Sequence, residues 1–70
     1  MTAPISVKVN GQERQVARGS SLLDLIGALD LDPRTIVVEL NREIIRRPQL
    51  PTTSVRDGDA VELVHFVGGG

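Results

Sequence analysis

The residue best placed to do chemistry in this sequence is its last. The segment Glu62-Leu63-Val64-His65-Phe66-Val67-Gly68-Gly69-Gly70 is apolar through Val64, Phe66 and Val67 and then drops abruptly to three glycines. Glycine lacks Cβ and accepts unusual φ, so Gly68 and Gly69 make a slim tail suited to threading into another protein's active site. Gly70 then places an unhindered carboxylate at the tip. A carboxylate is a poor acyl donor until it is activated, so this reading requires a partner enzyme that adenylates it. The bland alternative is a frayed end or the remnant of a flexible linker. Against it, a linker at the terminus would have nothing to join, and the apolar run stops too sharply for simple fraying.

Other chemistries find few residues. With no cysteine there is neither a disulfide nor a thiolate nucleophile, and the lone His65 cannot build a zinc site. A single His at a strand end is read as a bystander. Asp57-Gly58-Asp59 resembles a fragment of a calcium loop, but the other ligand positions are missing, and a tight turn is the better reading. No nucleophile, base and orienting group can be assembled, so the chain is expected not to be an enzyme but a substrate of enzymes. Eight Lys or Arg against nine Asp or Glu leave a net charge of −1, without the basic footprint of a nucleic-acid binder. No apolar run is long enough to span a membrane, and Met1-Thr2-Ala3-Pro4 does not open a secretory signal. A cytoplasmic monomer is the expectation.

The elements that must position the tail follow from periodicity. Ile5-Ser6-Val7-Lys8-Val9 alternates with period two, and Asn10-Gly11 is the strongest short hairpin signal. Gln12 to Val16 returns as a polar edge strand. Leu22, Leu25, Ile26 and Leu29 paint one face of a helix, with Ser21 as N-cap and Asp24 closing a capping box. Asp30 and Pro33 end it. Thr35 to Leu40 reads as a strand, Asn41-Arg42 as a second tight turn, Glu43-Ile44-Ile45 as a short strand, and 46–54 as an irregular connection. The last strand runs from Ala60 to about Phe66. A helix between two hairpin-like pairs predicts an α+β fold of the ubiquitin-like β-grasp kind, a mixed sheet with one helix packed across one face. Residues 1–67 would form the domain and 68–70 a flexible glycine tail. Leu25, Ile26, Leu29, Val7, Val38 and Leu63 are expected among the most buried side chains.

From Ile5 to Gly70 the chain resembles the ThiS family, the sulfur carriers of thiamin thiazole biosynthesis. The resemblance is carried by Val9-Asn10-Gly11, Ser21-Leu22-Leu23-Asp24-Leu25, the stretch from Val38 to Ile45, and Asp57-Gly58-Asp59. It is most specific at Val64-His65-Phe66-Val67-Gly68-Gly69-Gly70, because a bare Gly-Gly end is shared with ubiquitin and the MoaD carriers. It implies that a ThiF-type adenylyltransferase uses ATP and magnesium to form an acyl-adenylate on Gly70. Sulfur from a cysteine-desulfurase relay then displaces AMP to leave a thiocarboxylate, and the thiazole synthase ThiG takes that sulfur. The carrier itself needs no cofactor. Two positions depart from the family pattern: Arg42, where many relatives have glycine, and Arg46-Arg47 in place of a Pro-Arg.

Val37, Val64 and Phe66, with Val67, are read as an outward apolar patch for partner docking beside the tail. Arg42, Arg46 and Arg47 are read as a solvated loop in preference to a steering patch. Three rival functions remain: a ubiquitin-like protein modifier, which the final nucleophile would distinguish, a MoaD-like carrier serving another pathway, and a plain interaction module with a floppy end.

Overall fold

The computed structural model describes residues 3–66. Five strands and one helix follow in the order β1 (Ile5–Val9), β2 (Gln12–Val16), α1 (Leu22–Ala28), β3 (Ile36–Leu40), β4 (Glu43–Ile45) and β5 (Ala60–His65). The strands form one mixed sheet in the order β2-β1-β5-β3-β4, with β1 and β5 parallel and the other neighbours antiparallel. This is the expected β-grasp arrangement, with β2 and β4 as edges. Among the described residues no helix is long and apolar enough to cross a membrane.

The core forms because alternation on the strands and the 3.6-residue period on α1 turn their apolar residues toward each other. Ile5, Val7 and Val9 of β1, Ile36 and Val38 of β3, and Val61 and Leu63 of β5 meet Leu22, Leu25 and Ile26 of the helix. The capping box closes as the sequence predicts: Ser21 Oγ accepts from the Asp24 amide at 3.0 Å, and Asp24 Oδ2 accepts from the Ser21 amide at 2.9 Å. Two orphan donors of a seven-residue helix are thereby satisfied.

Several expectations need correction. Leu29 is only partly buried, because it is the helix C-cap and the chain turns away at Asp30, whose φ is +58°. The third strand begins at Ile36, not Thr35, because Pro33–Thr35 forms a 3₁₀ turn capped by Asp32. The connection expected to be irregular contains a 3₁₀ helix, Arg47–Thr52. It buries Leu50 to 1% exposure against the sheet and helix, a core residue that the proline-rich composition concealed. The last strand ends at His65, although the Phe66 amide still donates to the Thr35 carbonyl at 3.2 Å. The boundary at residue 67 and the expected mobility of the tail lie outside the described residues.

Candidate functional site

The tail leaves from β5, so the geometry of that strand sets where it starts. β5 is the middle strand of the sheet, held along one side by β3 from Leu40↔Val61 to Ile36↔His65. On the other side β1 pairs with it over only two positions, Lys8↔Ala60 and Val9↔Val61, because the chain turns at Asn10-Gly11. The Asn10 side chain extends that ladder. Its Oδ1 accepts from the Leu63 amide at 2.7 Å, and its Nδ2 donates to the Leu63 carbonyl at 3.1 Å. The Asn10 amide also donates to the Val61 carbonyl at 2.9 Å.

A second asparagine does the same at the start of the strand. Asn41 Oδ1 accepts from the Ala60 amide at 3.0 Å, its backbone amide donates to the Ala60 carbonyl at 2.8 Å, and its Nδ2 donates to Asp59 Oδ1 at 3.0 Å. Both asparagines sit in turns with positive φ, Asn10 at +50° and Asn41 at +51°. Sequence reading assigned them to turns alone. Their second role depends on contacts 53 and 19 residues away, for which local spacing carries no signal.

Among the predicted site residues, Val37, Val64 and Phe66 are brought together. Val37 and Val64 are in register on the face of the sheet opposite the helix. Both are exposed, at 38% and 54%, as is Phe66 at 48%. The sequence reading missed Ile44, 65% exposed on the same face and opposite Glu39 across β3 and β4. In a three-residue strand Ile44-Ile45 gives no alternation from which to choose the outward residue, and it is Ile45 that packs on the core. Val67, Gly68, Gly69 and Gly70 lie outside the described residues.

The remaining candidates are settled by their bonds. Asp57 and Asp59 serve the turn: Asp57 Oδ1 accepts from the Ser6 amide and Asp59 Oδ2 from the Arg56 amide, each at 2.8 Å, around Gly58 at φ +88°. Among the described residues no group of three or more His, Cys, Asp or Glu is placed to hold a metal ion. His65 is exposed and borders a shallow groove with Asn10, Leu29 and Leu31. Arg46 and Arg47 are exposed, and Arg42 occupies its turn at φ +73°, in the left-handed region that disfavours a residue with Cβ. Arg34 holds the Asp32 carboxyl below the usual aspartate range, through its side chain first and its backbone amide second.

The model of the ThiS family matches residues 7–70, from the first strand through the glycine tail. The chain belongs to the ThiS family. The crystal structure of the thiamine biosynthesis protein ThiS from Geobacter metallireducens superposes with a TM-score of 0.83 at 38% identity, covering 94% of this chain and 100% of that one. The sulfur carrier protein ThiS of Bacillus subtilis is 32% identical over 65 residues, 91% of this chain and 98% of its own. A protein of Paramagnetospirillum magneticum named thiazole synthase is 39% identical over 62 residues. That match takes in 89% of this chain but only 19% of the longer protein. The ThiS match thus spans the whole fold, whereas the thiazole synthase contains such a segment within a much larger polypeptide.

Proposed function

We propose that this ThiS-family chain, a sulfur carrier of thiamin biosynthesis, bears its sulfur as a thiocarboxylate on Gly70. The observation that carries the reading is that the family match continues through Gly70, beyond a strand held by Asn10 on one side as far as Leu63 and on the β3 side as far as the Phe66–Thr35 bond. The chain has no cysteine, so no side-chain thiol competes with the terminal carboxyl as the sulfur-bearing group.

A carboxylate oxygen of Gly70 attacks the α-phosphorus of ATP in the active site of a ThiF-type adenylyltransferase, releasing pyrophosphate and leaving an acyl-adenylate. Magnesium and nucleotide are bound by that partner, not by the carrier. The outer sulfur of a persulfide supplied by a cysteine-desulfurase relay displaces AMP to give an acyl disulfide; a thiol reductant then cleaves its S–S bond, and the resulting thiocarboxylate is the donor to thiazole synthase. In this scheme the carrier acts as a substrate of its partners. Gly68 and Gly69 keep the approach narrow, and the folded domain presents the tail from one fixed point. The similarity of this chain to a segment of the P. magneticum thiazole synthase supports that enzyme as the acceptor.

The activation step is tested by carrier-dependent exchange of pyrophosphate into ATP with a ThiF-type enzyme. The native chain should support exchange and a chain lacking Gly70 should not. Equal exchange by both would refute the assignment of the reacting carboxylate.

A further inference from the structure

We propose that Asn10 is a positioning residue for the tail: its side-chain amide sets the direction in which β5 delivers Gly70 to the adenylating partner. The inference rests on the reading above that the Gly70 carboxylate is adenylated.

The ladder between β1 and β5 ends at Val9↔Val61, where the chain turns at Asn10-Gly11. Beyond it the Asn10 amide donates to the Val61 carbonyl, and the Asn10 side chain takes both backbone groups of Leu63. Among the described residues this is the last hold on that side of β5. Along the other side β3 continues through Ile36↔His65 to the bond from the Phe66 amide to the Thr35 carbonyl. Val64, His65 and Phe66 are therefore held from one side, and all three are exposed, so burial adds little to fix them. Leu63 is the last buried residue of the strand, at 6% exposure. Packing holds its side chain, whereas the two Asn10 bonds orient the peptide planes before and after it.

The turn alone does not need that amide. Glycine accepts φ +50° at no steric cost, so the contribution particular to asparagine is the grip on Leu63. Asn41 offers a comparison within the same strand. It grips both backbone groups of Ala60, also from a turn at positive φ, but at the end of β5 remote from the tail. Two clamps of like chemistry thus sit at opposite ends of β5, and only Asn10 borders the segment that leads to Gly70.

Adenylation needs a Gly70 oxygen in line with the α-phosphorus of ATP, inside a partner that has docked the folded domain. A displacement of about 1 Å in the reacting atoms can cost about a hundredfold in rate. Glycine supplies reach but no direction, so direction comes from the last peptide planes that the fold holds. Releasing Leu63 from Asn10 moves that point back along β5 and reduces the fraction of docked carrier whose carboxylate is in line. Recognition of the domain is unaffected, so the loss falls on kcat and not on KM. A variant that is merely less folded behaves differently. It acts as a smaller amount of carrier, which raises the apparent KM and leaves kcat at saturation unchanged.

Pyrophosphate exchange with a ThiF-type enzyme, measured against the concentration of full-length carrier, separates the two. Asn10→Gly should lower kcat about three- to tenfold with KM within about twofold of native, a partial loss because β3 still holds the strand. Asn10→Asp, which keeps the bond from the Leu63 amide, should fall between, and it carries the test if Asn10→Gly does not fold. Asn41→Gly, which loses the corresponding clamp at the far end of β5, should keep the native kcat. Amide hydrogen exchange in the free carrier should be faster from Leu63 to Phe66 in Asn10→Gly, and melting curves check that every variant is folded at the assay temperature. The proposal is overturned if Asn10→Gly keeps the native kcat, if only its KM rises, or if Asn41→Gly lowers kcat equally. A native chain that supports no exchange would overturn the reading of Gly70 itself, and the positioning role with it.

Discussion

Asn10 grips Leu63 by both ends of its side-chain amide, accepting from the Leu63 amide at 2.7 Å and donating to its carbonyl at 3.1 Å. The side chain thereby stands in for a strand residue where β1 has already turned away. Asn10→Gly keeps a residue suited to φ +50° but removes both bonds, whereas Asn10→Asp keeps the acceptor and loses the donor. Loss of two partly buried hydrogen bonds should cost Asn10→Gly about 1–3 kcal/mol by urea denaturation, with Asn10→Asp between it and the native chain. Equal stability of Asn10→Gly and native protein would show that the clamp contributes nothing.

Arg42 is the converse case, a residue with Cβ held at φ +73° in the β3–β4 turn. Replacing it with glycine removes the steric penalty of the left-handed region at some entropic cost. Arg42→Gly should stabilise the fold by up to about 1 kcal/mol, read as a higher urea midpoint at unchanged slope. A lower midpoint would mean that the Arg42 side chain makes a contribution larger than the strain.

Leu50 tests the part of the core that comes from the 3₁₀ helix. It is 1% exposed, and α1 and the 3₁₀ segment lie against each other. Leu50→Ala should cost about 2–4 kcal/mol by leaving a cavity, comparable with Leu25→Ala in the helix. A loss below about half a kcal/mol would show the segment to be detachable from the core.

Asp32 gives a pH-dependent expectation. The Arg34 side chain, and then the Arg34 amide, hold its carboxyl below the ordinary value of 3.8. Because the folded value is lowered, the ionised form is favoured by folding. The contribution is therefore present above the unfolded value and lost as the pH falls through the folded one. An NMR titration should place the Asp32 midpoint below 3.8, and Arg34→Ala should move it up. An unchanged midpoint in Arg34→Ala would remove the assigned cause. Both groups are solvent-exposed, so little change in melting temperature should accompany the shift.

Much of this was legible in the sequence because the signals are local. Asn10-Gly11 marks its hairpin, Ser21 and Asp24 mark their capping box, and the spacing of Leu22, Leu25 and Ile26 marks the buried helix face. The outward placement of Val37 and Val64 follows from alternation on strands long enough to show it. Where the signal was short or distant, reading failed. β4 has three residues, too few to tell Ile44 from Ile45, and Leu50 lies among prolines whose 3₁₀ geometry has no apolar period of its own. The clamps of Asn10 and Asn41 on β5 join residues far apart in the chain and exist only once the sheet has assembled. Gly70 was singled out by its chemistry, an unhindered carboxylate beyond an apolar strand, and by the resemblance of the tail to the ThiS family.

The most direct measurement of the central claim is the intact mass of the carrier after incubation with ATP, magnesium, a ThiF-type adenylyltransferase, a cysteine-desulfurase sulfur source and a thiol reductant. The native chain, and His65→Ala with it, should gain the mass difference between sulfur and oxygen. A chain lacking Gly70 should gain nothing, and neither should one extended by a residue beyond Gly70, whose carboxylate is displaced by about 3.5 Å. Gain of sulfur by the extended chain at the native rate would contradict the assignment of Gly70 as the carrier.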